Sequence, residues 1–426
     1  MRILLIVHDY LPTFTSGTEV YTHDLAQSLS KLGHEVKIFT VEAYSKFHED
    51  KYVERYFEDS VEVIKVHRKD MNHRVKLNDT LVNNILDKEF KDFVAEFKPE
   101  LTHIQHLITM SLTFIDILKE SRSKVIYTIH DLWFMCPTIR NYINGAPCLC
   151  TNEKASGTCS GLVLNESFKL ENYKDPVSKF IARLKWMIQR KKRNQTFKQY
   201  LLKVDKMIVP SEFLYRRLIS FLGEENKGRV VKIQHGMNID KDFEKRKVSS
   251  DDKIKILYPS NLSISKGVAD VERAFEKLEK EYDNYELILA GPHEEDSETV
   301  RFMDKLQNLN NVKYIGKYKP EERFDLFAKS DLVLIPSQWD DIYNLVLDEA
   351  LVTKKFVIVT NKGAMPERVV EGENGFIYEV DSTGNNLYEA IKKILDNPLI
   401  LNREAPKKWL SQKEHINEVI KVYNAE

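Results

Sequence analysis

The densest set of groups able to do chemistry lies in PSQWDDIYNLVLDEAL, residues 336–351, where Asp341 and Glu349 stand eight residues apart. If a helix starts near Tyr343, Asp341 precedes its first turn and Glu349 lies two turns in. The N–H groups of Asp341, Ile342, Tyr343 and Asn344 then have no intrahelical partner, and each carboxylate can accept from hydroxyls, one from a sugar and one from a ribose. The same spacing also suits an ordinary helix cap at Asp341 and a solvated Glu349. In YPSNLSISKGVAD, Lys266 and Gly267 mark a strand-to-helix junction. A point charge beside backbone donors at a helix start suits a diphosphate, and a solvated lysine next to a turn glycine is the plainer alternative. In TIHDLWFMCP a strand end delivers His130 and Asp131. An imidazole there can donate to a substrate hydroxyl while the adjacent carboxylate orients it; a structural role is the alternative. Gly17 and Thr18 follow the first strand, where a glycine lets backbone N–H groups approach a phosphate. Neither G-x-G-x-x-G after that strand nor G-x-x-x-x-G-K-[ST] before Lys266 is present, which argues against nicotinamide or flavin enzymes and P-loop NTPases.

These groups need a scaffold, and the hydrophobic pattern supplies one. Short aliphatic runs alternate with amphipathic stretches, the sequence form of parallel sheets built from βαβ units. The first half predicts strands at 2–7, 35–40, 61–66, 101–104, 124–129 and 206–209, with a helix over 19–32. The second predicts strands at 255–258, 286–290, 312–315, 332–335 and 356–359, with helices at 268–282, 297–309, 321–328 and 343–351. Between them 240–253 is charged and lacks apolar periodicity, so the hinge is expected there. The expected fold is α/β with two doubly wound domains facing across a cleft. The first domain is expected over 1–245 with a helix near 408–426 returning to it, and the second over 246–407.

At 426 residues, with 42% hydrophobic and 30% charged residues, the composition is that of an ordinary globular protein. The longest aliphatic run near the start, Ile3 to Val7, is followed by Asp9, so no membrane-spanning or signal-peptide segment is expected and the reading places the chain in the cytosol. Net charge −1 conceals an asymmetry. Residues 1–250 carry 40 Lys and Arg against 32 Asp and Glu, and the remainder 24 against 33. Nine basic and no acidic residues lie between Lys179 and Lys203, with Phe180, Leu184, Met187 and Ile188 at helical spacing. That pattern suits an amphipathic helix on an anionic membrane surface, with packing of the apolar stripe onto the first domain as the alternative. No nucleic-acid motif accompanies the charge. The four cysteines, Cys136, Cys148, Cys150 and Cys159, crowd one stretch. They lack the paired C-x2-C form, so a reduced loop is expected, with a structural zinc site as the alternative.

Together SGTEVYTHDLAQSLSKLGHEV, TIHDLW, VDKMIVPSEFLYRRL, KIQHGMN, SKG, ELILAGP, VKYIGKY, the DD-to-DEA stretch and KGAMPERVVEGENGFIY resemble, in order and spacing, the retaining nucleotide-sugar glycosyltransferases of the GT-B fold, glycosyltransferase family 4-like, with a Glu-x7-Glu signature. The resemblance covers nearly the whole chain. It implies an acceptor-side first domain, a donor-side second domain and no cofactor beyond the nucleotide sugar itself. It places the diphosphate on Lys266 and the Gly17 loop, the ribose on Glu349, the transferred sugar on Asp341, and one of its hydroxyls on His130. The N–H groups of Tyr343, Asn344 and Leu345 then meet phosphates or sugar, and the backbone near Lys317 meets the base. The implied activity is metal-independent, retaining transfer to a glycan or lipid-linked acceptor in cell-surface polysaccharide synthesis, at the inner face of the membrane. Two positions depart from the family: Asn261 stands where an arginine is usual, and Asp341 where the first glutamate is. They motivate the alternative of an inactive nucleotide-sugar-binding partner subunit; a GT-B-type epimerase is a further one.

Overall fold

The computed structural model describes residues 1–42, 51–68, 81–136, 142–143, 146–147, 175–239 and 242–425. Those within 1–143, 148–236 and 412–426 form one compact unit, and those within 144–147 and 237–411 form the other. Cys148, Cys150 and Cys159 lie outside the described residues, and Cys136 is buried.

The first unit is built on strands β1 (Arg2–His8), β2 (Glu35–Glu42), β3 (Lys51–Glu58), β4 (Val61–Arg68), β5 (Leu101–Ile104), β6 (Lys124–Thr128), β7 (Lys206–Val209) and β8 (Val230–Lys232). Their order across the sheet is β8-β7-β6-β5-β1-β2-β4-β3. All neighbours are parallel except β3, which runs antiparallel to β4. The aliphatic runs of β1, β2, β4 and β5 are buried, as strands covered on both faces must be. The sequence reading missed β3 because its KYVERYFE alternates charge with aromatics instead of forming an aliphatic run, the mark of a strand with one solvated face. Helices α1 (Gly17–Lys31), α2 (Asn84–Phe97), α3 (Phe114–Glu120), α4 (Pro176–Leu201) and α5 (Glu212–Leu222) accompany the sheet. One core packs Ile3, Leu5 and Val7 against Leu25 and Leu29 of α1. Elsewhere in the unit, Phe39 meets Phe90 and Phe114, whose rings stack 3.9 Å apart.

In the second unit β9 (Ile254–Pro259), β10 (Tyr285–Ala290), β11 (Val312–Gly316), β12 (Leu332–Ile335), β13 (Phe356–Thr360) and β14 (Gly375–Tyr378) form an all-parallel sheet in the order β11-β10-β9-β12-β13-β14. Around it run α6 (Val268–Leu278), α7 (Ser297–Gln307), α8 (Arg323–Ala328), α9 (Leu345–Val352) and α10 (Asn385–Asp396). The order steps out from β9 in both directions, so the loops after β9 and β12 leave the sheet at a switch point, where α/β sheets bind ligands. Residues 242–253 pack with this unit: Val248 joins its core and Arg246 Nη1 contacts Asp331 Oδ2 at 2.9 Å. The last helix, α11 (Gln412–Asn424), belongs to the first unit, where Ile416, Val419 and Val422 enter the core of β1 and α1.

Candidate functional site

At the switch point of the second unit, two turns converge. After β9 the chain makes a short 3-10 turn, Ile264–Lys266, in which the Ser263 hydroxyl accepts from the Lys266 N–H. Gly267 then turns into α6 with φ 89°, and a Cβ there would lie 2.0 Å from the Pro336 carbonyl oxygen. Glycine is what lets this turn lie against the 336–341 loop. Lys266 Nζ consequently stands 3.5 Å from Asp341 Oδ2 and 4.4 Å from the Trp339 ring centroid, with its side chain 26% exposed. Asp341 is buried and also accepts from Asn344 Nδ2 at 2.9 Å. Its carbonyl accepts from the Ala364 N–H at 2.7 Å, and Gly363, at φ 56°, would place a Cβ 2.1 Å from that carbonyl.

The helix carrying Glu349 begins at Leu345, not near Tyr343, because the Asn344 side chain accepts from the Leu347 N–H at 3.0 Å and is the cap. Asp341 is therefore neither the cap nor a source of an unpaired N–H, since its amide donates to the Trp339 carbonyl. Glu349 is 5% exposed, which overturns the solvated alternative, and Arg323 Nη1 of α8 meets its Oε1 at 3.0 Å. Burial pushes the Glu349 carboxyl up to about 7; Arg323 opposes this and Asp348 adds to it. Beneath the cap lies a second pair. Arg368 Nη1 meets Asp348 Oδ1 at 2.5 Å, and its guanidinium covers the Tyr343 ring at 4.1 Å and donates to the Asn344 carbonyl. Asn261 and Lys317 are exposed, near the ends of β9 and β11.

In the first unit, His130 and Asp131 follow β6, but each side chain hydrogen-bonds a residue other than its neighbour. His106 Nε2 contacts Asp131 Oδ2 at 2.9 Å, and His130 Nε2 donates to Gln105 Oε1 at 2.9 Å. Parallel pairing of β5 and β6 explains the exchange: residues 105 and 106 end one strand beside 130 and 131 ending the next. Burial drives His130 down to about 3, with His106 adding to the effect. Its ring is thus neutral, with Nε2 protonated toward Gln105 and Nδ1 left as an acceptor. A ring in this state can accept a hydrogen bond at Nδ1 but cannot donate one from it. Burial raises Asp131, but His106, the Trp133 N–H and His8 together outweigh it and the carboxyl sits below its ordinary range. Tyr21 stacks edge-on to His130 at 4.9 Å and its hydroxyl meets His415 Nε2 at 3.0 Å. Gly17 opens α1 with an ordinary φ; Ser16 before it makes no side-chain cap, its hydroxyl donating instead to the buried Glu19.

Helix α4 turns Ala182, Arg193, Asn194 and Phe197 inward; Arg193 donates to the Trp133 carbonyl and lies 4.5 Å from the Phe197 ring centroid. Phe180, Leu184, Met187 and Ile188 are 48–66% exposed, so this stripe does not pack onto the first unit. Among the described residues no helix is long and apolar enough to cross a membrane, and no group of three or more His, Cys, Asp or Glu is arranged to hold a metal ion. The sequence reading missed Arg323, Arg368 and Gln105. Arg368 lies in the KGAMPERVVEGENGFIY stretch but was given no role there, and each of the three is defined by a partner brought near only by folding.

Residues 15–241 match the family profile described as Glycosyltransferase Family 4, and residues 240–414 the profile described as Glycosyl transferases group 1. The chain is 32% identical over 155 residues to N-acetyl-alpha-D-glucosaminyl L-malate synthase of Bacillus anthracis, covering 36% of this chain and 39% of that protein. It is 25% identical over 207 residues to lipopolysaccharide 1,2-N-acetylglucosaminetransferase of Salmonella typhimurium, covering 45% and 53% respectively. The matched stretches thus span less than two thirds of either relative. Among solved structures, sucrose-phosphate synthase from Thermosynechococcus elongatus superposes with a TM-score of 0.66 at 17% identity, covering 99% of this chain and 98% of that one. Anabaena HepE, solved with UDP and glucose, gives 0.61 at 14% identity, covering 100% and 99%. With a profile matched over more than half its length and two doubly wound units of GT-B type, the chain belongs to Glycosyltransferase Family 4.

Proposed function

We propose that the protein is a retaining, metal-independent glycosyltransferase that moves a sugar from a nucleotide sugar to a glycan or lipid-linked acceptor in cell-surface polysaccharide synthesis. The observation that carries this reading is the convergence of Lys266, Asp341 and Asn344 at the switch point of the second unit. As the bond between sugar and diphosphate breaks, negative charge grows on the leaving phosphate, and Lys266 is the cation held beside that position. Preorganised charge of this kind is usually the largest catalytic contribution. Asp341 holds the ammonium in place and accepts from hydroxyls of the transferred sugar. The N–H groups of Tyr343, Asn344 and Leu345 at the α9 start face the phosphates or sugar, Glu349 accepts from the ribose, and the backbone near Lys317 and Asn261 flanks the nucleotide. In the first unit, the Gly17 turn supplies further N–H donors, and His130 accepts a substrate hydroxyl through Nδ1. Retention follows if the leaving diphosphate takes the acceptor's proton on the face it departs from.

A structural neighbour was solved with UDP, which makes UDP-sugars the first donors to try. The test is a thermal-shift panel of UDP, GDP, ADP, dTDP and CMP with their common sugars, followed by NMR of the anomeric centre in the product. A selective rise in midpoint and a product that keeps the donor's configuration are expected. Inversion would remove the retaining assignment, and donor binding without turnover on any acceptor extract would favour the inactive partner subunit.

A second element of the reading concerns place of action. Val177, Phe180, Ile181, Leu184, Met187 and Ile188 are exposed on one helix that carries no acidic residue, with Lys185, Lys191 and Lys192 exposed beside them. An apolar stripe flanked by lysines suits the surface of an anionic bilayer, where a lipid-linked acceptor resides.

A further inference from the structure

The contact between α8 and α9 offers more than a clamp between helices. Phe327 of α8 and Leu347 and Leu351 of α9 already share an apolar core, so the helices do not need an ion pair to stay together. A pair with one nearly buried member is in any case weak evidence of a stabilising role, because desolvation offsets much of the attraction. Yet Arg323 Nη1 lies 3.0 Å from Glu349 Oε1. Among the described residues Glu349 Oε2 has no hydrogen-bond partner. One oxygen is held and the other is left to accept from a ligand.

We infer that Arg323 is a positioning residue for the nucleotide sugar: it keeps the buried Glu349 ionised and aims its second oxygen at the ribose hydroxyls. This rests on the reading of Glu349 as the ribose contact. An ionised carboxylate only accepts hydrogen bonds, which suits a vicinal diol; a protonated one presents a donor instead. Even with Arg323 beside it, burial leaves Glu349 at about 7, so loss of that cation takes ionised carboxylate away at neutral pH. The groups that face it are Arg323 from α8, Asp348 from its own helix, and Tyr318 from the loop after β11. Asp348 is itself engaged by Arg368, so Arg323 is the cation that works directly on Glu349. Removing it leaves burial and Asp348 acting in the same direction, and the carboxyl then takes up a proton at higher pH than before.

The test is a carboxyl titration of the full chain by NMR with 13C-labelled glutamate, from about pH 5 to about pH 9, with the Glu349 signal assigned by its loss in Glu349→Gln. UDP binding is measured by calorimetry on the same variants. In Arg323→Met the Glu349 midpoint should move to higher pH, and UDP should bind roughly tenfold more weakly at neutral pH, recovering as pH rises. Arg323→Lys should restore both in part. A structural role alone would lower the melting temperature and leave the midpoint in place, so an unmoved midpoint in Arg323→Met overturns the inference. If the midpoint moves while Glu349→Gln binds UDP as tightly as the unmodified protein, the ribose reading has failed instead, and the role of Arg323 falls with it.

Discussion

Lys266 and Asp341, 75 positions apart in the chain, meet with Nζ and Oδ2 separated by 3.5 Å, and Asn344 Nδ2 donates to the same oxygen. An ammonium held by one partly satisfied carboxylate is ordered yet still able to take an anion. Lys266→Ala should therefore lower kcat/KM by about 100-fold or more, with a smaller effect on donor binding. Steady-state kinetics with the donor selected by thermal shift would check this, and an unchanged rate would remove Lys266 from catalysis.

The turns that bring these two residues together depend on glycine. Gly363→Ala would force a side chain onto the Asp341 carbonyl from a left-handed backbone, and Gly267→Ala would do the same to Pro336. Each should cost about 1 to 3 kcal/mol of stability and shift the loop that carries Asp341. Chemical denaturation reads the first effect and kcat the second. A variant as stable and as active as the parent would show that the loop tolerates the displacement.

Arg368 and Asp348 form a buried pair beneath the α9 cap, with side chains 2% and 0% exposed. Arg368→Met should destabilise the fold by about 3 to 5 kcal/mol, because Asp348 is left buried without its cation. The double variant Arg368→Met with Asp348→Leu should recover much of that loss. If the single variant unfolds at the same denaturant concentration as the parent, the pair contributes no such stability.

Acid sensitivity follows from the histidines. Burial holds His130 down to about 3 and His415 down to about 4, and drives His8 and His103 well below the ordinary value of 6.5. These rings stay neutral when folded but take a proton when unfolded, so their stabilisation is complete above about pH 6.5 and is lost as pH falls below it. Asp9 and Glu349, raised to about 7, act in the opposite sense and favour the folded state less as pH climbs from the ordinary carboxylate range to 7. Burial also raises Asp270 and Asp348 and lowers His34; because the four strongly lowered histidines outnumber the two carboxyls raised to about 7, the melting temperature should rise between about pH 5 and about pH 6.5. A flat or falling curve over that window would contradict the neutral state of these rings. The same assignment implies that no step in activity between about pH 5 and about pH 8 belongs to His130.

If α4 docks on lipid, the protein should sediment with vesicles containing phosphatidylglycerol and much less with phosphatidylcholine alone. Replacing Phe180, Leu184 and Met187 by serine should release it without a change in melting temperature, since these side chains are exposed. Binding that survives the replacement would assign the membrane contact elsewhere, and a change in oligomeric state instead would make the stripe an interface between copies.

Much of the architecture was legible in the order of residues. The aliphatic runs that became β1, β2, β5, β6 and the central strands of the second sheet stand out because a strand buried on both faces must be apolar throughout. Strand β3 escaped notice because an edge strand alternates, and β14 because GFIY is too short and too near a turn to register as a run. The candidate residues at strand ends were legible for the same reason, since a parallel sheet delivers them there. Their partners were not. Sequence adjacency suggested that Asp131 orients His130, whereas neighbouring strand ends pair His130 with Gln105 and Asp131 with His106. The helix cap moved from Asp341 to Asn344, and Glu349, the glutamate of the DD-to-DEA stretch, acquired Arg323. Local chemistry and hydrophobic period are written along the chain, so the sequence by itself determined which elements form and which residues they carry to their ends. Which group faces which, which carboxylate is buried, and therefore which proton each group holds, depends on distances across the fold, and only the tertiary structure decided that.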